Sequence, residues 1–344
     1  MTQLRKILLP FAFIYGWILR LRNWLYNQSI LKSHQFKTPS ICIGNLNTGG
    51  SGKTPFLALL ANHFQKKSQI AILSRGYKRA TKGFRQVNLS DKAKEVGDEP
   101  LQFKHQFPYA YVAVDEKRAH GMQQLEADLK PDMILLDDAF QHRAVKADLS
   151  ILLTTYQNPF SVDLLLPAGN LREPVSGAKR ADIIVVTKTP QSISSAEKNR
   201  LKNKLRAHEK QTVFFSHIVY SDQIISHQKT IPLADFNHFT LVTGIANPKP
   251  LCDYLDKLQK DYKHLRFSDH HAFTQSELEK IKNQQPVLTT QKDFMRLKQV
   301  SDLKELYYLP IAFDIDDKEH FFQLLDYQLY IKTNASSTSN QSVD

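Results

Sequence analysis

Residues 47–54 read Asn-Thr-Gly-Gly-Ser-Gly-Lys-Thr, between an apolar stretch, PSICIGN (39–45), and a helical one, TPFLALLANHFQKK (54–67). A strand, a glycine-rich turn and a helix opening on Lys-Thr form the setting of a phosphate-binding loop. Glycines let successive backbone N–H groups turn inward around phosphate oxygens, and the helix N-terminus adds its dipole. Asn47, Thr48, Gly49, Gly50, Ser51 and Gly52 would form the cradle, Lys53 would reach the β- and γ-phosphates, and Thr54 would ligate Mg²⁺. The usual pattern opens with glycine, and Asn47 stands there instead. The chain is otherwise sparing with glycine. It has 12 in 344 residues, and four of them (Gly44, Gly49, Gly50, Gly52) fall in this one stretch.

Short apolar runs recur at QIAILSR (69–75), YAYVAVD (109–115), DMILLDD (132–138), LSILLTT (149–155) and ADIIVVTK (181–188). Alternating with amphipathic helices, they predict a parallel sheet covered on both faces. TVFFSHIVYS (212–221) alternates like an antiparallel strand, and HFTLVTGIANPKPLCDYLDKL (238–258) reads as a fresh strand–loop–helix unit. The expected fold is α/β: a P-loop NTPase-type domain over 31–212 and a smaller second α/β domain over 213–331. A polar tail, 332–344, has the composition of disorder.

A phosphate loop needs a second Mg²⁺ anchor, normally an acid ending a neighbouring strand. Asp137 and Asp138 end the DMILL strand, and sequence does not choose between them. VVTKTP (185–190) is similar to the N/T-K-x-D element that reads guanine, but Pro190 replaces the Asp. That departure argues against a GTPase.

Residues 1–90 hold 14 Lys/Arg and no Asp/Glu, so the whole formal excess of +12 sits in the first quarter. Such asymmetry suggests an anionic partner there. Residues 7–19, ILLPFAFIYGWIL, form an uncharged run between Arg5/Lys6 and Arg20/Arg22. As a helix it measures about 20 Å, short of the ~30 Å hydrocarbon core. With its Trp, Tyr and Arg it predicts a helix over 1–30 lying in the membrane interface; the alternative is a helix packed on the protein body. Two cysteines, Cys42 and Cys252, fit a reducing compartment.

Further segments follow in order: ILSRGYKR (72–79), VGDEP (96–100), DDAFQHR (137–143), LLPAGNLREP (165–174), VTGIANPKP (242–250), FSDHHAF (267–273) and TTQKDFMRL (289–297). Together with the phosphate loop and the N-terminus, they resemble the tetraacyldisaccharide 4'-kinase family of lipid A biosynthesis from about residue 5 to 330. The resemblance implies transfer of the γ-phosphate of ATP, with Mg²⁺, to the 4'-hydroxyl of tetraacyldisaccharide 1-phosphate, giving lipid IVA. It also implies a glycolipid substrate, peripheral association with the cytoplasmic face of the bacterial inner membrane, and no nucleic-acid or protein partner. Position by position, Lys53 and Thr54 match the phosphate and Mg²⁺ contacts, and Asp98 the carboxylate that activates the sugar hydroxyl. The resemblance pairs Asp98 with a histidine, His270 first and His271 in reserve. Asp137 and Asp138 match metal-side acids, and Arg172 and Glu173 an active-site pair, with Glu173 also on the metal side. Ala139-Phe140 and Asn170 depart from the family's usual residues without removing a functional side chain.

Independently of the family, Asp98 sits in a stretch bounded by Gly97 and Pro100, where loop carboxylates often act. Arg75, Lys78, Arg79, Lys82 and Arg85 form a basic stretch suited to anionic lipid or the 1-phosphate. A different class, a membrane-surface P-loop NTPase switch or metallochaperone-type NTPase, would use the same loop. It would call for a guanine-reading Asp or Cys/His metal ligands, and the sequence has neither. Nucleic-acid binding through the basic N-terminus lacks a recognisable module.

Overall fold

The structure is a computed structural model and describes residue 5 and residues 7–269, 271, 273–300 and 303–339, with side chains left aside at 299–300 and 332–339. Its larger sheet is built from β1 (Ser40–Asn45), β2 (Ile70–Ser74), β3 (Arg85–Gln86), β4 (Tyr111–Val114), β5 (Met133–Asp137), β6 (Leu149–Thr155), β7 (Ile183–Thr187), β8 (Thr212–Tyr220) and β15 (Ile311–Ile315). The spatial order is β15-β8-β7-β6-β1-β5-β2-β4-β3. All pairings are parallel except those of the edge strands β3 and β15. β1 lies between β5 and β6, with Ile43 opposite Asp137 and Asn45 opposite Leu153.

The apolar runs do not alternate with polar residues because both faces are covered. In β5, Met133 and Leu135 join one core while Ile134 and Leu136 join the other. The first core contains α2 (Lys53–Phe64) and α10 (Lys318–Ser339), where Phe56 packs edge-on against Phe321 at 6.0 Å. Burying each such ring contributes about 1.5–3 kcal/mol. The opposite core takes Met122 from α5 (Arg118–Gln124) and Leu201 and Leu205 from α6 (Ser195–Leu205).

The second sheet has the order β10-β9-β14-β13-β11-β12. Its strands are β9 (Gln223–Ile225), β10 (Thr230–Pro232), β11 (Phe239–Thr243), β12 (Tyr262–Arg266), β13 (Val287–Thr290) and β14 (Leu306–Leu309). β8 is parallel to β7 and antiparallel to β15, so 212–220 belongs to the first sheet rather than opening a second domain. The run YYLPIAFDID (307–316) forms two strands parted at Pro310, one in each sheet. Alternation reports local exposure, and it does not say which sheet a strand joins. The final helix runs through Ser339, so the polar stretch from 332 begins as its continuation.

The N-terminal helix α1 (Leu9–Asn27) has Pro in its first turn. It buries one narrow stripe, Ala12, Gly16 and Leu19, against the larger domain. Arg5 donates to the Pro167 carbonyl and to Asn170 Oδ1, and the Tyr15 hydroxyl donates to the Arg172 carbonyl. The other face keeps Phe13, Trp17, Ile18 and Trp24 more than half exposed. The helix is thus packed on the protein body along one face and leaves an apolar face exposed. No helix among the described residues is long and apolar enough to cross a membrane.

Candidate active site

β1 delivers the phosphate loop to the C-terminal edge of the sheet, where ligands of open α/β sheets bind. Gly52 has φ +81° and caps α2. A Cβ there would also lie 2.4 Å from the Phe313 ring, so glycine is required twice over. Asn47 Nδ2 donates to Asp163 and the Thr48 N–H to the Asn170 carbonyl, which anchors the start of the loop to the 163–171 segment. This side-chain anchor stands where the usual pattern has glycine. The Ser51 hydroxyl is buried without a partner among the described residues.

Asn45, the last residue of β1, organises the site, and the sequence reading missed it. Its Oδ1 accepts from Lys53 Nζ at 3.2 Å and from Arg172 at 2.6 Å, and its carbonyl accepts from Gln141 at 2.7 Å. The available signal was a polar side chain ending an apolar strand. Asp138 leaves β5 with φ +47°, a left-handed step that Asp tolerates, so successive carboxylates face different groups. Arg172 grips Asp138 with two nitrogens at 2.8 and 3.0 Å, and Lys53 lies 3.6 Å away. Burial works against the Asp138 charge, but Lys53 and then Arg172 hold its pKa down to about 2.

Asp137 is the opposite case. It is buried and accepts from the Ser74 hydroxyl at 2.9 Å. Burial first, then Glu99 and Asp138, push its pKa up from 3.8 to about 7. Two adjacent carboxylates with separated pKa values have distinct electrostatic roles. The folded protein therefore holds a proton on Asp137 that the unfolded chain has released between those two pH values, and stability falls as pH rises through that window. Asp137→Asn is expected to raise the Tm of the nucleotide-free protein by a few degrees at pH 8 and scarcely at pH 4; an equal gain at both would refute the linkage.

Thr54, Asp137 and Asp138 offer hard oxygen donors, and Lys53 offsets the repelled Asp137 charge only in part. Both features fit Mg²⁺. Among the described residues no three His, Cys, Asp or Glu side chains gather as a metal cage, which is compatible with a Mg²⁺ that keeps waters and nucleotide phosphates as ligands. Glu173 does not belong to this set. It is fully buried, ion-paired to Arg180 at 2.7 Å, and accepts from Asn23 of α1 at 2.8 Å. The expected metal ligand is therefore a structural anchor between α1 and the 173–180 segment.

Asp98 lies in no loop. It opens α4 (Asp98–Gln106) directly after Gly97 at φ +97°, with Asp98 and Glu99 in the first turn and Lys104 and His105 in the last, matching the helix dipole. Its Oδ2 accepts from Arg296 Nε at 2.9 Å, and Arg296 sits on α9 (Gln291–Val300) of the second lobe. Arg296 in turn contacts Asp293 at 3.3 Å. The two lobes thus meet at Asp98, through an arginine that the reading of the family segments passed over. His270 lies outside the described residues. His271, the reserve, gives its Nε2 contact to Glu277 at 2.9 Å, where Glu277 closes the capping box of α8 (Gln275–Lys282). Within the basic stretch Arg79 is bound to Glu116 and Arg85 to Asp91, so two of its five charges are already paired.

A cleft of ≈ 280 Å³ opens beside the loop, between the lobes. Gly50–Thr54 and Glu99 line one side, and Asn247, Pro250 and Lys292 the other.

The sequence pattern of the Tetraacyldisaccharide-1-P 4'-kinase family matches residues 4–330. A Tetraacyldisaccharide 4'-kinase from Flavobacterium johnsoniae is 44% identical over 340 residues, covering 97% of this chain and 99% of that protein. One from Parabacteroides distasonis is 38% identical, covering 94% of each. The crystal structure of LpxK from Aquifex aeolicus in complex with ATP aligns with a TM-score of 0.78 at 30% identity, over 95% of this chain and 100% of that one. A loop built to cradle phosphate, a strand end carrying two unlike carboxylates and near full-length likeness to these proteins lead to one assignment: the chain belongs to the tetraacyldisaccharide 4'-kinase family.

Proposed function

We propose that this chain transfers the γ-phosphate of ATP to the 4'-hydroxyl of tetraacyldisaccharide 1-phosphate, giving lipid IVA in lipid A biosynthesis. The observation that carries the reading is the meeting of three elements: the phosphate loop, the Asp137–Asp138 strand end, whose Asp138 lies 3.6 Å from Lys53, and helix α4, whose Glu99 lines the cleft beside the loop. Incubation with labelled ATP and tetraacyldisaccharide 1-phosphate tests it directly; absence of a 4'-phosphorylated product would overturn it.

In this reading Lys53 leaves Asn45 and Asp138 for the β- and γ-phosphates when nucleotide enters. Arg172, already held by Asp138 and Asn45, is pre-set to neutralise charge on the transferred phosphoryl group. Asp98 accepts the proton of the attacking hydroxyl, a poor nucleophile while protonated. Thr54 and Asp137 would hold Mg²⁺, with Asp138 beside them. Bound there, the ion supplies charge neutralisation of the β- and γ-phosphates. Closure of the second lobe through α9 would exclude water from the cleft.

The acceptor's acyl chains explain the outward face of α1. Phe13, Trp17, Ile18 and Trp24 form an apolar strip beside basic residues, as in interfacial helices. That strip would seat the chain peripherally on the cytoplasmic face of the inner membrane. Deleting the helix is a poor test, because Tyr15 and Asn23 support Arg172 and Glu173. Phe13→Glu with Trp17→Glu is expected to lower partition onto anionic vesicles at least about tenfold, the order set by losing two buried rings, while activity on detergent-dispersed substrate persists. Unchanged partition would assign the strip no membrane role.

A further inference from the structure

The VVTK segment has no role in the chemistry so far, yet it is fastened to the phosphate loop. β7 ends at Thr187, whose hydroxyl donates to the Ser51 carbonyl at 2.8 Å and to the Thr154 carbonyl at 3.2 Å. Thr189 closes the other side of the turn, its hydroxyl donating to Val186 and its N–H to the Ser216 carbonyl. Between these two clamps Lys188 takes φ +57°, a left-handed conformation that lysine rarely adopts. The result is that its Nζ reaches the loop: it lies 3.8 Å from where a Cβ on Gly50 would be.

Lys188 lines the cleft together with Gly50–Thr54, and so do the apolar Ile218, Leu309 and Ile311. Asp138 and Arg172, on the phosphoryl-transfer side, are not among the lining residues. Its ammonium therefore sits where the phosphate cradle gives way to apolar walls. In a nucleotide whose phosphates occupy the loop and whose base lies on those walls, the intervening segment is the ribose and α-phosphate. Burial lowers the Lys188 pKa, and among the described residues no carboxylate acts to raise it. Among the described residues the cation has no carboxylate that offsets its burial, an arrangement suited to an anionic ligand.

We propose that Lys188 is a second nucleotide-binding lysine, which holds the ribose–α-phosphate segment of ATP while Lys53 serves the β- and γ-phosphates. The proposal rests on the nucleotide site described above and adds a contact to it. It also gives the N/T-K-x-D-like segment a use that needs no guanine-reading Asp, because a lysine on the ribose–α-phosphate segment reads no base.

The test is steady-state kinetics of Lys188→Ala and Lys188→Arg, with ADP and inorganic pyrophosphate as competitive inhibitors. Lys188→Ala is expected to raise the KM for ATP and the Ki of ADP about tenfold, the loss of one charge-assisted contact, with kcat within about twofold. Lys188→Arg should recover most of the affinity. Pyrophosphate, which supplies the β- and γ-phosphates without α-phosphate, ribose or base, should inhibit the alanine variant as well as the wild type, which also reports that the loop remains folded. An unchanged KM for ATP would overturn the proposal. So would an equal loss of ADP and pyrophosphate binding, or a collapse of kcat at constant KM. Failure of the wild type to phosphorylate the disaccharide would instead count against the kinase reading, since ADP binding is measurable on its own.

Discussion

Lys53→Ala is expected to lower kcat/KM for ATP by about three orders of magnitude or more, the scale on which positioned charges act in phosphoryl transfer. Lys53 has two contacts before nucleotide arrives, Asn45 at 3.2 Å and Asp138 at 3.6 Å. Removing the ammonium therefore does more than delete a phosphate contact. It takes away the main charge that holds Asp138 ionised and one that moderates Asp137. Buried Asp137 and half-buried Asp138 would then face incoming triphosphate with the charge of Lys53 gone and Arg172 and Arg118 left to offset them. Lys53→Arg should recover little, because a planar fork does not replace a compact ammonium beneath a tight loop. Measuring turnover and ATP binding for both variants checks this; turnover near the wild-type value would remove the phosphate loop from the mechanism.

The parts of this site visible in the sequence are those whose chemistry is local. Backbone N–H groups turning around phosphate need glycines at fixed offsets, so Gly49–Thr54 could be read directly. Asp137 and Asp138 could be read because an acid after an apolar run marks a strand end. Which carboxylate is repelled and which is paired depends on Glu99, Lys53 and Arg172, all distant in sequence. The same holds for Glu173: Arg180 is only seven residues on, but Asn23 lies 150 residues away and meets it only in three dimensions, and together they turned an expected metal ligand into a buried anchor. β8 and β15 share this limit, since strand composition carries no address for a sheet. Asp98 was read from its neighbours as a loop residue, yet Gly97 at φ +97° ends one short helix, α3 (Ala93–Val96), and starts the next. Gly and Pro mark a change of direction, and here the change is from helix to helix.

That placement gives Asp98 two possible duties, and their effects differ in size. As the base for the sugar hydroxyl, Asp98→Ala should lower kcat about 10²- to 10⁴-fold, the usual contribution of a positioned proton acceptor, while ATP binding stays close to wild type. As the lobe-bridging partner of Arg296 alone, it would matter no more than Arg296 does, and a partly exposed ion pair contributes only about 1 kcal/mol or less. Arg296→Ala is the control, because it breaks the 2.9 Å bridge and leaves the carboxylate in place. The expected result is a kcat loss for Asp98→Ala at least tenfold greater than for Arg296→Ala, with the double variant resembling Asp98→Ala. Asp98→Asn should behave like the alanine variant, since an amide keeps the shape and cannot take the proton. Equal losses in the two single variants would make Asp98 a hinge contact and leave the hydroxyl to another base. The expectation of unequal losses follows from position: helix α4 places this carboxylate at its N-terminus, and Arg296 fixes its Oδ2 from the opposite lobe. In the proposed reading a carboxylate oriented at the meeting point of the two lobes would act when they close on substrate, so the bridge and the base would be two functions of one side chain, and only the second would be chemical.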